Sequence, residues 1–217
     1  TDFMENTLQV WEELGFTFDA ISTGFIVSER QANRIAAYCQ KQRAAGTQIF
    51  VDPIMGDEGH LYNGLTDETV KEMRKLIAQA DYMVPNYTEA ALLTGTAYEE
   101  KGTSKGEIQE LLQKLHAISG GSVVITSAKV DGADVVAGYD AKKESYFLLP
   151  FDLIPVRFLG TGDIFSSIFM GDVLLGKDME DATVKAMQAV REMILRNMDN
   201  QDTFKGIPIE TCLEVID

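Results

Sequence analysis

The chain has 217 residues, 45% of them apolar, with a formal net charge of −15 and a pI near 4.5. That length supplies one domain with a substantial core, and the acidity repels a polyanion over most of the surface, so nucleic acid is not an expected partner. No apolar run reaches membrane-spanning length, the acidic start Thr1 to Leu14 lacks the basic flank of a signal peptide, and Cys39 and Cys212 match no zinc spacing, so a cytoplasmic protein without membrane or zinc contacts is expected.

Apolar residues recur at helical spacing from Phe3 to Leu14, and Phe18 to Gly24 then reads as a short strand entering a glycine turn. Gln31 to Ala45 returns to helix and stops at Gly46; Thr47 to Asp52 is a buried-type strand that ends on a carboxylate. Thr66 to Ala80 is helical, Asp81 to Pro85 extended, and Thr88 to Thr94 helical with Gly95 as its stop. Ser104-Lys105-Gly106-Glu107 forms a capping box for Ile108 to Ile118, and Val123 to Thr126 is the next apolar strand. Asp134 to Tyr139 and Glu144 to Leu149, joined by a short polar turn, predict an antiparallel hairpin at a sheet edge. Ile164 to Leu175 and Met179 to Met198 are helical. Strands alternating with helices of this length imply a mainly parallel sheet with helices on its faces, an α/β three-layer sandwich, and the absence of a linker makes residues 1–217 a single domain.

Ligands of open α/β sheets sit outside the carboxyl ends of the strands. Thr23-Gly24, Asp52, Asn86, Thr126-Ser127 and Gly160 to Asp163 all fall at such ends and are expected to converge in one cleft. The most informative of these is Gly160-Thr161-Gly162-Asp163, which follows the apolar run Ile154 to Leu159 and opens a helix. Two glycines allow a tight turn and close backbone approach, and the first free N–H groups of the helix form an anion hole. Asp163 at its rim is a candidate base for a hydroxyl that attacks phosphorus; the plainer alternative is a helix cap, which contributes about 1 kcal/mol.

Asp52-Pro53-Ile54-Met55-Gly56-Asp57 places two carboxylates five positions apart around a stiff turn, and they read either as magnesium ligands or as turn formers. Asn86 and Glu89, three apart at a helix start, suit metal-bound water or a cap. Thr126 and Ser127 offer hydroxyls to a phosphate oxygen, and the Gly-containing loop Glu58 to Tyr62 is a candidate lid. In so acidic a chain an anionic nucleotide requires a divalent cation, with magnesium the default. Neither an ordinary P-loop nor a Gly-x-Gly-x-x-Gly turn after a strand is present.

In order and spacing, Asp52 to Asp57 followed by Gly59-His60-Leu61-Tyr62, Pro85-Asn86 with Glu89-Ala90, Ile125-Thr126-Ser127 and Gly160 to Asp163 resemble the ribokinase-like superfamily, most closely its pyridoxal and pyridoxamine kinases. Phe18 to Phe25 fits as well, and the resemblance covers essentially the whole chain. It implies ATP-dependent phosphorylation of the 5′-hydroxymethyl group of pyridoxal, pyridoxamine or pyridoxine, with Mg2+ and with room for a monovalent cation, in a homodimer. By that resemblance Asp163 is the base and Gly160, Thr161 and Gly162 are the anion hole. Asp52 and Glu89 organise the metal, Asp57, Asn86, Thr126 and Ser127 serve the nucleotide and its cation, and Tyr62 belongs to the closing loop. The family carries a further strand-helix-strand region, roughly one βαβ unit of ~30 residues or more, ahead of the part matched here; the chain therefore reads as part of a larger enzyme. The alternatives are a hydroxymethylpyrimidine or hydroxymethylpyrimidine phosphate kinase, a non-catalytic ligand-binding relative, and a plain structural α/β domain.

Overall fold

The computed structural model describes residues 1–200 and 202–216. The chain falls into two compact units, Thr1–Leu148 and Leu149–Asp217.

The first unit follows the expected alternation: α1 (Asp2–Glu13), β1 (Ala20–Thr23), α2 (Glu29–Ala44), β2 (Gln48–Val51), β3 (Gly56–Asp57), β4 (His60–Leu61), α3 (Asp67–Ile77), β5 (Tyr82–Met83), α4 (Tyr87–Thr94), α5 (Lys105–Ser119), β6 (Ser122–Val130) and β7 (Ala133–Asp140). β8 (Ser145–Pro150) closes the main sheet, whose order is β1-β2-β5-β6-β7-β8. β1, β2, β5 and β6 are parallel, and β7 returns antiparallel to β6 around Asp131-Gly132. The expected edge hairpin is thus part of a longer meander, because β6 continues past Thr126 to Val130 with Ala128 and Val130 buried.

Burial explains why these segments hold their conformations. Ile49 and Val51 of β2, Met83 of β5, Val123 and Ile125 of β6 and Val135, Ala137 and Tyr139 of β7 share one apolar cluster with residues of α2 to α5. From α5 come Ile108, Leu111, Leu112 and Leu115, one helical stripe; each such side chain contributes about 1.5–3 kcal/mol when fully buried. The alternate residues of the same strands, Phe50, Tyr82, Val124 and Val136, are buried too, and the rings of Phe50 and Tyr82 stack with centroids 4.9 Å apart. Strands buried on both faces read as continuous apolar runs, as these do. The capping box of α5 forms as its sequence predicts, and Gly95 ends α4 in the left-handed conformation at φ 67°.

At the sheet edge a Cβ on Gly138 of β7 would lie 1.9 Å from the ring of Phe147 in β8, so only glycine admits that ring. β3 and β4 form a separate two-stranded antiparallel sheet. Where the sequence reads as a loop, the structure has a hairpin. Its strands of two residues each are too short to show any periodicity.

The second unit holds α6 (Thr161–Leu174) and α7 (Met179–Arg196), packed on each other, and three single 3-10 turns from Thr203 to Val215. Asp172 of α6 is buried and meets the ammonium groups of Lys177 at 3.0 Å and Lys185 at 3.7 Å. Cys212 lies buried between two of the 3-10 turns. Ile154 to Leu159 forms no strand: Pro155 offers no N–H to a ladder, and the N–H of Val156 bonds back to the carbonyl of Ile154.

Candidate active site

The strand ends and the first turn of α4 are knitted together in the first unit. Pro85 leads β5 into α4, and Asn86 caps that helix by accepting the N–H of Glu89 at 2.9 Å. Glu89 completes the capping box by accepting the N–H of Asn86 at 2.9 Å, and its other oxygen accepts the N–H of Met55 at 3.0 Å, in the turn after β2. The amide of Asn86 reaches the same turn, donating to the carbonyl of Gly56 at 2.7 Å. Asp52, at the end of β2, is tied through its N–H to the carbonyl of Thr23 at the end of β1. The N–H of Thr126 bonds the carbonyl of Pro85. Thr23, Asp52, Asn86, Glu89 and Thr126 are therefore brought to one end of the sheet.

The electrostatics of the cluster centre on Glu89, only 3% exposed. Burial pushes its carboxyl up to about 8; the backbone N–H groups of Asn86, Met55 and Gly56 pull the other way, and the charge of Asp52 raises it further. Two neighbouring acids, one of them buried and reluctant to ionise, form a set of oxygen acceptors suited to a hard divalent cation. No group of three or more His, Cys, Asp or Glu able to hold a metal occurs among the described residues. A divalent cation at this end of the sheet would draw on few protein oxygens and keep water in its shell. Both oxygens of Glu89 already accept backbone N–H groups, so any contact it made with such an ion would run through water.

Asp57 lies in β3 and accepts the N–H of Glu58. The hairpin turns through Glu58 at φ 51° and Gly59 at φ 81°. Its tip is fastened where the N–H of Gly59 donates to the hydroxyl of Thr88 at 2.9 Å. Tyr62 follows β4, is 42% exposed, and its N–H bonds the carbonyl of Met55. Sequence reasoning missed Thr88, which is 2% exposed: a threonine inside a helix start carries no signal beyond its neighbours Asn86 and Glu89.

Thr126 and Ser127 coincide with an irregularity in the pairing of β6 with β7, between Ile125 and Ala128. Such bulges re-aim side chains at the rim of a sheet. Ser127 is exposed and Thr126 half-buried.

In the second unit Gly160 caps α6 in the left-handed conformation at φ 84°, a backbone that a side chain rarely adopts. Thr161, Gly162 and Asp163 form the first turn, where helical N–H groups are free of intrahelical partners. Gly162 and Asp163 are exposed. The N–H of Ile164 is the first to bond within the helix, to the carbonyl of Gly160 at 3.0 Å. Behind this turn the chain comes back after α7: a Cβ on Gly206 would lie 3.0 Å from the carbonyl oxygen of Leu159.

Comparison with known proteins gives a consistent picture. The family model described as phosphomethylpyrimidine kinase matches residues 2–207. A pyridoxal kinase of Arabidopsis thaliana is 29% identical over 203 residues, covering 90% of this chain and 64% of the relative. A solved structure from Bacteroides thetaiotaomicron, provisionally assigned as a phosphomethylpyrimidine kinase and crystallised with pyridoxal, is 32% identical with a TM-score of 0.93, covering 100% of this chain and 77% of that one. The structure of pyridoxal kinase from Lactobacillus plantarum is 27% identical with a TM-score of 0.88, covering 99% and 76%. The chain spans less than two thirds of the length of the curated relatives it matches, 64%, 56% and 62% for three of them.

Proposed function

We propose that this chain, which belongs to the phosphomethylpyrimidine kinase family, serves an ATP-dependent kinase activity on the 5′-hydroxymethyl group of pyridoxal, pyridoxamine or pyridoxine. The observation that carries the reading is the clasp of Asn86 and Glu89 on the turn after Asp52, which sets a buried acid, an ionisable strand-end acid and an amide at one end of a parallel sheet. The likeness to a structure holding pyridoxal supports that vitamin as the alcohol.

In this reading Asp163 takes the proton of the attacking hydroxyl, and the N–H groups of Thr161, Gly162 and Asp163 hold the phosphoryl oxygens. Gly160 gives the turn its shape. Asp52, Asp57 and Glu89 would hold Mg2+ and its waters, and the ion supplies charge neutralisation on the transferred phosphate. Thr126 and Ser127 contact nucleotide phosphate, and Asn86 keeps the acidic turn in place. A monovalent cation and a homodimer belong to the same proposal, as does a cytoplasmic location. Both units would act as one kinase domain.

The match of the family model favours a second reading, phosphorylation of hydroxymethylpyrimidine or its phosphate. The chemistry is identical and the ring pocket differs. ATP consumption measured side by side with pyridoxal and with hydroxymethylpyrimidine separates them: faster turnover of pyridoxal is expected, and faster turnover of the pyrimidine would replace the first reading with the second.

A further inference from the structure

The hairpin from Gly56 to Leu61 carries Asp57, yet its own two strands of two residues each give it little hold. Isolated hairpins of this size are not stable in water, so other contacts must fix it. Three do so. At the base, the amide of Asn86 donates to the carbonyl of Gly56. At the tip, the N–H of Gly59 donates to the buried hydroxyl of Thr88 at 2.9 Å. Over the tip lies Tyr98, whose ring would be 2.7 Å from any Cβ at Gly59 and which also packs on Tyr87 with centroids 5.3 Å apart. Both ends of the hairpin are therefore fastened to the first turn of α4, the turn that presents Asn86 and Glu89.

We propose that Thr88 is a positioning residue: its hydroxyl latches the hairpin tip to α4 and so fixes Asp57 relative to Glu89. The segment expected to move as a lid is on this account a fixed wall of the site. The consequence for nucleotide rests on the kinase reading; the latch itself does not. Thr88 is suited to the role because it is buried on the second residue of α4, where its short side chain reaches the tip without leaving the helix. Valine there keeps the shape and deletes the acceptor, leaving the Gly59 N–H without its partner.

The test compares wild type with Thr88→Val and Thr88→Ser. Two readouts are taken: hydrogen exchange of the Gly59 amide in the free protein, and calorimetric affinity for the magnesium complex of the non-hydrolysable ATP analogue AMP-PNP. In Thr88→Val the Gly59 amide is expected to exchange faster and the complex to bind more weakly, each on the order of tenfold, the loss of one buried hydrogen bond. Thr88→Ser restores both. Unchanged Gly59 protection in Thr88→Val would overturn the latch, and lost protection with unaltered affinity would overturn its role in placing Asp57. A wild type that binds no magnesium nucleotide sinks the kinase reading; the exchange arm then decides the latch by itself, upheld by loss in valine with recovery in serine and overturned otherwise.

Discussion

Replacing Glu89 by glutamine sets two physical effects against each other, and pH separates them. The glutamine carbonyl can still accept one of the N–H groups of Met55 and Asn86, but its NH2 then faces the other donor. A buried N–H left without an acceptor costs about 1–3 kcal/mol. Against this, wild type must ionise a carboxyl that burial has pushed up to about 8. The folded value lies above the ordinary one, so the folded state binds the proton more tightly. The stability contributed by the protonated acid is fully present below about pH 4.5 and is lost as pH rises through 8. Every tenfold difference in proton affinity between the folded and unfolded chain corresponds to about 1.4 kcal/mol, so wild type loses several kcal/mol across that window and the glutamine variant does not. Urea unfolding at pH 5, 7 and 9 is the assay. The variant is expected to be less stable by about 1–3 kcal/mol at pH 5, with the deficit shrinking at pH 7 and gone or reversed at pH 9. A deficit that stays constant or grows with pH would refute the reasoning: the backbone donors would then hold the carboxylate ionised more strongly than burial opposes it.

Further outcomes follow from individual contacts. Asn86→Ala removes the cap of α4 and the donor to Gly56, and should lower stability by about 1–2 kcal/mol in chemical denaturation. Gly138→Val should destabilise by about 1–3 kcal/mol or more, since Phe147 has to leave its place over the strand; an unchanged thermal midpoint would remove that packing argument. Gly160→Val forces a branched side chain onto a backbone at φ 84° and is expected to weaken binding of ATP analogues in calorimetry while the far-UV circular dichroism spectrum is retained.

Much of the fold is legible in the residues because local and long-range signals agree. Ser104 and Glu107 announce the start of α5 before its apolar stripe begins, and Gly95 marks the end of α4 by a conformation few other residues adopt. The site was legible to the extent that strand-end polar residues mark the carboxyl edge of a parallel sheet, which is how Asp52, Asn86, Glu89 and Thr126 could be grouped. What could not be read depends on partners distant in sequence. Thr88 matters through Gly59, and Met55 through Glu89. The hairpin of β3 and β4 forms from strands without a period, around Glu58 at a positive φ that no composition rule foretells. Ile154 to Leu159 was misleading for the opposite reason: apolar content suggested an extended run, but Pro155 offers no N–H to a ladder and the chain bends there instead.

The most direct test of the central claim is magnesium-dependent release of ADP from ATP with pyridoxal as acceptor, measured for the protein and for its Asp163→Asn variant, together with nucleotide affinity. Turnover by wild type, a fall of roughly 100-fold or more in the variant and nearly equal nucleotide binding are the expected results. Undiminished turnover in Asp163→Asn would contradict the assignment of the base, and nucleotide binding without any ADP release from wild type would contradict catalysis itself.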